Sequence, residues 1–362
     1  MKECNISNRG IYFFIGIYIF LILLLLVTTP FSYSEADILY STDFSIESFI
    51  VQYISKFSNS VWALRLPFYL FSLLSLFLYV NILKDYFKDS YYYNLSIFIF
   101  LITPGVFLSF ILVNYATLPI LLTLIFIFSY KKSIFTLQII SLVLLFFTHT
   151  ASFVVYIAII LYTYRRQEYL LMSLSILLLL LSIFASYYRV DGIPKGHLLQ
   201  LVGIYSAIFS PLMFLAIIFS LYKMAINGKK DILWYISIVA FIISVILSMR
   251  QNIKITDFSP YLTMAIPLVV NIFKSSLEVR LSIFRKSYFL VCKVIVLVLL
   301  LETLIIILHY PIYKYLPKGD RLIDSSIYKI EESANSNIKR CKNNISRREK
   351  SLYRYYGIEE CK

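Results

Sequence analysis

The chain has little of what most soluble enzymes use. Only 15% of its 362 residues are charged, and it contains 9 glycines, 4 cysteines and 3 histidines. With so few histidines, and no ligand-type spacing between them, a zinc site is not expected. The sequence also has no glycine-rich phosphate loop, no Cys-x-x-Cys pair and no Gly-x-Ser-x-Gly element. Their absence excludes the common nucleotide-binding, redox and serine-hydrolase motifs.

Long apolar runs dominate instead, because 60% of the residues are hydrophobic. These runs are about twice the length of a barrel strand and show no period-two alternation, so they predict helices. We expect an all-α, polytopic transmembrane helix bundle. The sequence predicts about 11 spans, near residues 11–29, 62–83, 92–112, 115–130, 134–148, 150–164, 169–187, 201–222, 231–249, 258–273 and 287–310.

Basic residues alternate from one interhelical loop to the next. The richer loops hold Lys84 and Lys88, then Lys131 and Lys132, then Arg165 and Arg166, and later pairs of the same kind. Because such residues stay on the cytoplasmic side, we expect a multi-pass inner-membrane protein with a cytoplasmic N-terminus and a periplasmic C-terminus. The excess of basic residues behind the net charge of +14 is therefore interpreted as a topology signal. It predicts membrane lipids as partners and no nucleic acid.

Two units are expected along the chain. Residues 1–310 form a transmembrane domain whose first outer loop is 30–61, and residues 311–362 form a small periplasmic tail. The tail contains Cys341 and Cys361, which an oxidising periplasm would allow to form a disulfide. Two unrelated free thiols are an equally open interpretation.

Two acids follow the first span directly. Glu35 and Asp37 could act as a general base, bind a divalent metal ion or pair with a cation. If the segment is helical, only one of the two can face a site. The alternative is that both are solvated loop acids.

Cations are expected near the outer ends of several spans. Arg65 opens the second span, and Arg250 and Lys254 follow a later one. Arg as a bidentate fork, and Lys as a point charge, suit a phosphate at the outer leaflet. For each residue alone, snorkelling to lipid phosphate is the alternative.

Several segments, read in order, resemble the GT-C membrane glycosyltransferases of the protein-mannosyltransferase and aminoarabinose-transferase type. They are Ser34-Glu35-Ala36 with Tyr40, Ser60-Val61-Trp62-Ala63-Leu64-Arg65-Leu66-Pro67, Leu101-Ile102-Thr103-Pro104-Gly105, Thr148-His149-Thr150 before Tyr164-Arg165-Arg166, and Ser259-Pro260-Tyr261-Leu262 with Pro267. The resemblance runs through about residues 12–275 at motif level.

The resemblance implies a sugar carried on a polyprenyl phosphate and an acidic pair in the first outer loop. Glu35 matches the second acid of that pair, Ser34 stands in place of the first, and Asp37 is the nearest substitute. Arg65 matches the basic residue of the Arg-Leu-Pro element. Near Tyr261 the family often has an arginine, for which Arg250 and Lys254 are the closest candidates.

The first hypothesis is therefore an enzyme: an inner-membrane glycosyltransferase that moves a sugar from a polyprenyl-phosphate donor to an envelope glycan or lipid acceptor on the outer face. Glu35 or Asp37 would be its base, Arg65, Arg250, Lys254 and Tyr261 would bind the substrate and its phosphate, and a divalent metal ion remains an open cofactor. The alternatives are a surface-polysaccharide polymerase and a non-catalytic transporter or partner for lipid-linked glycan intermediates.

Overall fold

The computed structural model describes residues 9–41, 45–148, 150–186, 197–228, 230–250, 254–315, 327–328, 330, 341–342 and 349–360. The helices in these residues are α1 Arg9–Thr28, α2 Tyr33–Leu39, α3 Ile46–Ser55, α4 Val61–Tyr86, α5 Ser90–Ile102, α6 Pro104–Ile111, α7 Thr117–Lys131, α8 Phe135–Phe146, α9 Phe153–Arg166, α10 Tyr169–Ser186, α11 Leu198–Phe209, α12 Pro211–Asn227, α13 Ile232–Arg250, α14 Ser259–Leu262, α15 Ile266–Val279, α16 Ser282–Ile307, α17 His309–Tyr315 and α18 Lys350–Tyr355. The only strands in them, β1 Cys341–Lys342 and β2 Glu359–Glu360, pair in parallel.

The helical prediction is confirmed, and the chain is a multi-pass membrane protein. Five described helical stretches are long and apolar enough to cross a membrane: Gly10–Thr28, Val61–Tyr86, Ile232–Arg250, Ser259–Val279 and Ser282–Ile307. Two bent pairs, α5 with α6 and α11 with α12, raise the number to 7 if each pair is one span. The expected count of about 11 is therefore not confirmed.

Proline marks both breaks, in spans that the sequence predicted as continuous. α6 begins with Pro104 and α12 with Pro211, and the axes turn by 62° and 104°. A proline at the first position of a helix has no N–H to donate to the preceding turn, so it starts a new helix readily. The two breaks approach each other closely, because a Cβ atom on Gly105 would overlap the Ile208 side chain. Glycine is required there by space.

The short helix α7 is mostly surrounded by protein, so it need not be long enough to span the lipid. α7 has 15 residues, about 22 Å at 1.5 Å per residue, which is less than the roughly 30 Å hydrocarbon core. Eleven of these residues are buried, and α7 packs against α4, α8 and α14. Helices surrounded by protein need not match the bilayer.

The end of the chain lies on the first interhelical loop. Phe31 and Tyr355 stack with ring centroids 4.1 Å apart, and the guanidinium carbon of Arg354 lies 4.4 Å from the Tyr40 ring centroid. Leu352 of α18 is buried in the core that these elements share. The loop and the tail therefore occupy one side of the bundle, which we call the loop face. The part of the tail described around α18 is packed on α2.

Helix α3 has an apolar side and a polar side, and the polar side faces the protein. Phe49 and Phe57 are 66% and 76% exposed, and Tyr53 lies between them in an aromatic row. Glu47 and Ser48 are buried on the opposite side. A helix at a membrane interface places its aromatic side towards lipid. This places a carboxyl group inside the molecule.

Candidate functional site

Glu35 and Arg65 form a buried ion pair. Glu35 is 0% exposed and Arg65 is 1% exposed. Arg65 Nε donates to Glu35 Oε1 at 2.7 Å, and Nη2 donates to Oε2 at 2.7 Å. This is the bidentate geometry in which arginine matches a carboxylate. Glu35 is also the third residue of α2, where its side chain accepts from the backbone N–H of the N-cap Ser32 at 2.9 Å.

The remaining donors of Arg65 hold the end of α1. Nη1 donates to Leu26 O at 3.0 Å and to Thr29 O at 2.9 Å, and Nη2 donates to Pro30 O at 2.8 Å. The last carbonyl groups of a helix have no partner within the helix, so the guanidinium supplies one. Glu35 Oε1 also accepts the Val113 N–H at 3.0 Å. The pair thus joins α1, α2 and α4 to the segment that follows α6.

This arrangement bears on the roles predicted from the sequence. All five N–H groups of Arg65 are engaged, and both oxygens of Glu35 accept two or more hydrogen bonds. Neither group has a free donor or lone pair for a substrate in this conformation. The catalytic role of Glu35 and the phosphate-binding role of Arg65 stay predictions, and these contacts favour a structural role for both.

Asp37 lies on the other side of α2. It is exposed, and the Ser351 hydroxyl of α18 donates to its Oδ1. Because the segment is helical, the two acids point in different directions, as the geometry of positions i and i+2 requires. Asp37 contacts the tail, and its role as a base stays a prediction.

Glu47 is the acid that sequence reasoning did not single out. It occupies the first turn of α3, is 0% exposed, and neither carboxyl oxygen has a hydrogen-bond partner of ordinary geometry in the described residues. The Ser45 side chain and the backbone N–H of Glu47 favour the charged form of the carboxyl, but less than burial opposes it. Burial raises the pKa of this carboxyl from its usual 4.5 to about 8. An acid on the polar side of an otherwise aromatic interfacial helix is the sequence signal that would have found it.

The position of Glu47 is fixed by its neighbours. The Ile46 N–H donates to Phe147 O at 3.0 Å, which seats the start of α3 on the end of α8. Ser45 caps the helix by accepting the Ser48 N–H at 3.2 Å. A capped first turn holds the carboxyl at one place, so its burial is enforced by the backbone.

Tyr261 lies within electrostatic range of Glu47 and of Asp257. Its ring is fully buried, and its hydroxyl has no hydrogen-bond partner in the described residues. An unpaired buried hydroxyl and an unpaired buried carboxyl are each costly, so two of them within electrostatic range of each other favour a ligand site. The structure thus places the predicted residue Tyr261 within electrostatic range of Glu47.

Arg250 and Lys254 are exposed at the end of α13 and at the start of the turn Ile255–Asp257. Neither has an ion-pair partner among the described residues. Lys254 lies three residues before Asp257, so both cations belong to the segment that leads to Tyr261. Their positions leave them available for an anion at the membrane surface.

Two further predictions concern a metal ion and a disulfide. In the residues that the structure describes, no three His, Cys, Asp or Glu side chains are grouped to hold a metal ion. The Cys341 side chain and all of Cys361 lie outside the described part, so their disulfide stays a prediction. The backbone of Cys341 pairs with that of Glu359, which places its strand beside the one that leads to Cys361.

Comparison with known proteins finds no protein-family model that matches this chain and no curated protein that matches it. The likeness to GT-C glycosyltransferases therefore rests on the motifs quoted above.

Proposed function

We propose that the protein is a membrane glycosyltransferase whose general base is Glu47. The observation that carries the proposal is the buried carboxyl of Glu47, whose oxygens have no hydrogen-bond partner of ordinary geometry in the described residues and whose pKa is raised to about 8. A base is most effective when its pKa lies near the working pH. A carboxyl that keeps its ordinary pKa would be a weak base for a hydroxyl.

In the proposed reaction four groups act together. Glu47 takes the proton of an acceptor hydroxyl, the hydroxyl oxygen forms a bond to the anomeric carbon, and the bond from that carbon to the phosphate oxygen breaks. The phosphate leaves with the electron pair of that bond. Arg250 and Lys254 stabilise its charge, and the Tyr261 hydroxyl orients the acceptor. The donor is a sugar on a polyprenyl phosphate, and the acceptor is an envelope glycan or lipid.

The location supports this chemistry. We propose that the protein lies in the inner membrane with the loop face outside, because the richer basic loops lie at the opposite ends of the helices. The contact between α2 and α18 requires the first loop and the tail to share one side. The aromatic row of α3 anchors the site at the level of the lipid headgroups.

Transfer of radiolabelled sugar from polyprenyl-phosphate sugar in membranes tests the proposal. Glu47→Gln should lower transfer about 10²- to 10⁴-fold, the range for loss of a general base. Asp37→Asn is the matched control, because it removes the exposed acid of the same loop and should leave transfer near the wild-type rate. Full transfer by Glu47→Gln would refute the assignment and favour a non-catalytic transporter or partner of lipid-linked intermediates.

A further inference from the structure

A cavity opens at the end of the bundle opposite the loop face. It has a volume of about 1000 Å³ and lies between the ends of α4, α7 and α9 and the starts of α8, α10 and α13. This volume is at the upper end of the range for small-molecule sites. The 26 residues of α4, about 39 Å, separate its level from that of α2 and Glu47. It is therefore distinct from the transferase site.

Two cations of this cavity have donors to spare. Lys131 Nζ donates to Ile82 O at 3.2 Å and lies 5.4 Å from the Tyr86 ring centroid. The Arg166 guanidinium lies 5.4 Å from the Tyr162 ring centroid. Among the described residues, neither cation is in an ion pair. Two cations held over aromatic rings, with free N–H groups, are suited to an anionic group such as phosphate.

The cavity is also lined by side-chain oxygens that can accept hydrogen bonds from the hydroxyl groups of a ligand. Asp231 and Glu168 each accept one hydrogen bond from a tyrosine hydroxyl, at 3.0 Å and 2.6 Å, and each has a second oxygen. Gln138 is more telling, because it is only 4% exposed and its Oε1 has no partner in the described residues. A buried amide oxygen without a donor is costly, and a ligand hydroxyl would satisfy it.

We propose that this cavity binds a glycosyl phosphate, with the phosphate at Lys131 and Arg166 and the sugar hydroxyls at Gln138, Glu168 and Asp231. A phosphate alone would leave Gln138 unsatisfied and most of the volume empty. A sugar alone would make little use of the free N–H groups of the two cations, although Asp85 and Asp231 attract Lys131 electrostatically. Tyrosine faces in the lining offer the stacking surface that a sugar ring uses. The ligand is either a soluble sugar phosphate or the headgroup of a glycolipid. The site does not depend on Glu47 or on the transferase proposal.

Calorimetric titration of the full chain in phosphatidylcholine nanodiscs tests this inference. The soluble probes are glucose 1-phosphate and N-acetylglucosamine 1-phosphate, with glucose and inorganic phosphate as component controls. We expect at least one sugar phosphate to bind at least about tenfold more tightly than either component, since it makes both sets of contacts. A second set of nanodiscs carries polyprenyl-phosphate glucose and polyprenyl-phosphate N-acetylglucosamine, with binding read by native mass spectrometry. Preference for these over the soluble probes would identify a glycolipid headgroup.

The chain supplies a matched pair of variants. Arg166→Gln should weaken binding about tenfold or more, the effect of one charge-assisted hydrogen bond. Arg165→Gln removes the neighbouring exposed arginine, which does not line the cavity, and should change binding less than about twofold. Glu47→Gln should leave this binding unchanged. The inference is overturned if no sugar phosphate binds in either form, if inorganic phosphate binds as tightly, or if Arg165→Gln and Arg166→Gln weaken binding equally.

Discussion

Glu47→Gln should stabilise the protein while it abolishes transfer. Folding raises the pKa of this carboxyl from 4.5 to about 8, so the folded state resists its ionisation. One pKa unit corresponds to about 1.36 kcal/mol. At pH 7 an unfolded chain has Glu47 almost fully ionised and the folded protein has it mostly protonated. By the linkage relation, this difference in pKa lowers the free energy of unfolding by about 3 kcal/mol at pH 7. Glutamine has nearly the same shape and cannot ionise, so it avoids this cost.

The sign of the pH dependence follows from the raised pKa. Between pH 4.5 and 8 the folded state binds more protons at this group than the unfolded state, so the contribution of Glu47 to stability falls as the pH rises. Below about pH 4.5 both states are protonated, and the variant gains nothing. The stability difference between Glu47→Gln and the wild type should therefore be under about 1 kcal/mol at pH 5 and approach about 5 kcal/mol above pH 8. Transfer by the wild type should rise with pH and level off near 8.

Thermal unfolding of the purified protein in detergent measures this difference. It is followed by the fluorescence of a reporter dye that does not react with cysteine thiols. The Gln variant should melt at a higher temperature than the wild type at pH 8, and the two should converge at pH 5. Asp37→Asn should show no such divergence, because Asp37 is exposed. If Glu47→Gln melts lower than the wild type at pH 8, the carboxylate is stabilised by a partner, and the argument for an uncompensated base is refuted.

Four further outcomes are expected. Arg65→Lys should lower the free energy of unfolding by about 3–5 kcal/mol or prevent folding, because a point charge cannot bind Glu35 and the α1 carbonyls together. A variant with wild-type stability in thermal unfolding would contradict this. Tyr355→Ala should release the tail from Phe31, so limited proteolysis should cleave the tail first and leave the bundle intact; unchanged cleavage would count against the docking. A reporter active only in the periplasm, fused after Lys362, should be active, and silence there would reverse the proposed orientation. Mass spectrometry of unreduced protein should find Cys341 and Cys361 joined, and two free thiols would remove that prediction.

The helical membrane bundle could be predicted because it depends on local properties. The length of an apolar run predicts the length of a helix, and a proline such as Pro104 or Pro211 predicts a possible break in it. The sequence did not reveal that the breaks turn by 62° and 104°, since a proline allows a bend and its size is set by packing. The burial of most of α7 could not be predicted for the same reason. An apolar helix has the same sequence pattern whether its neighbours are lipid or protein.

The candidate site could be predicted only in part. Glu35 and Arg65 were each recognised as unusual, but they are 30 residues apart, and only the folded chain shows that they bind each other. Tyr261 was predicted from a motif, and it lies within electrostatic range of an unpaired acid. That acid, Glu47, was not predicted, because the sequence does not show which side of a short helix in the outer loop is buried. A surface helix normally hides its apolar side, and at a membrane interface lipid covers that side instead.

The contrast between the two buried acids of the first loop is the strongest argument for function. Glu35 is matched by Arg65 and by backbone N–H groups, as a buried charge must be if it serves the fold. Glu47 is equally buried, in a helix of the same loop, with neither oxygen paired in the described residues. Glu35 shows that a buried acid of this loop can be fully hydrogen-bonded, so the unpaired state of Glu47 is not imposed by the loop. Under the proposed function, a substrate would provide the missing partner of an acid that is retained at a cost of about 3 kcal/mol at pH 7.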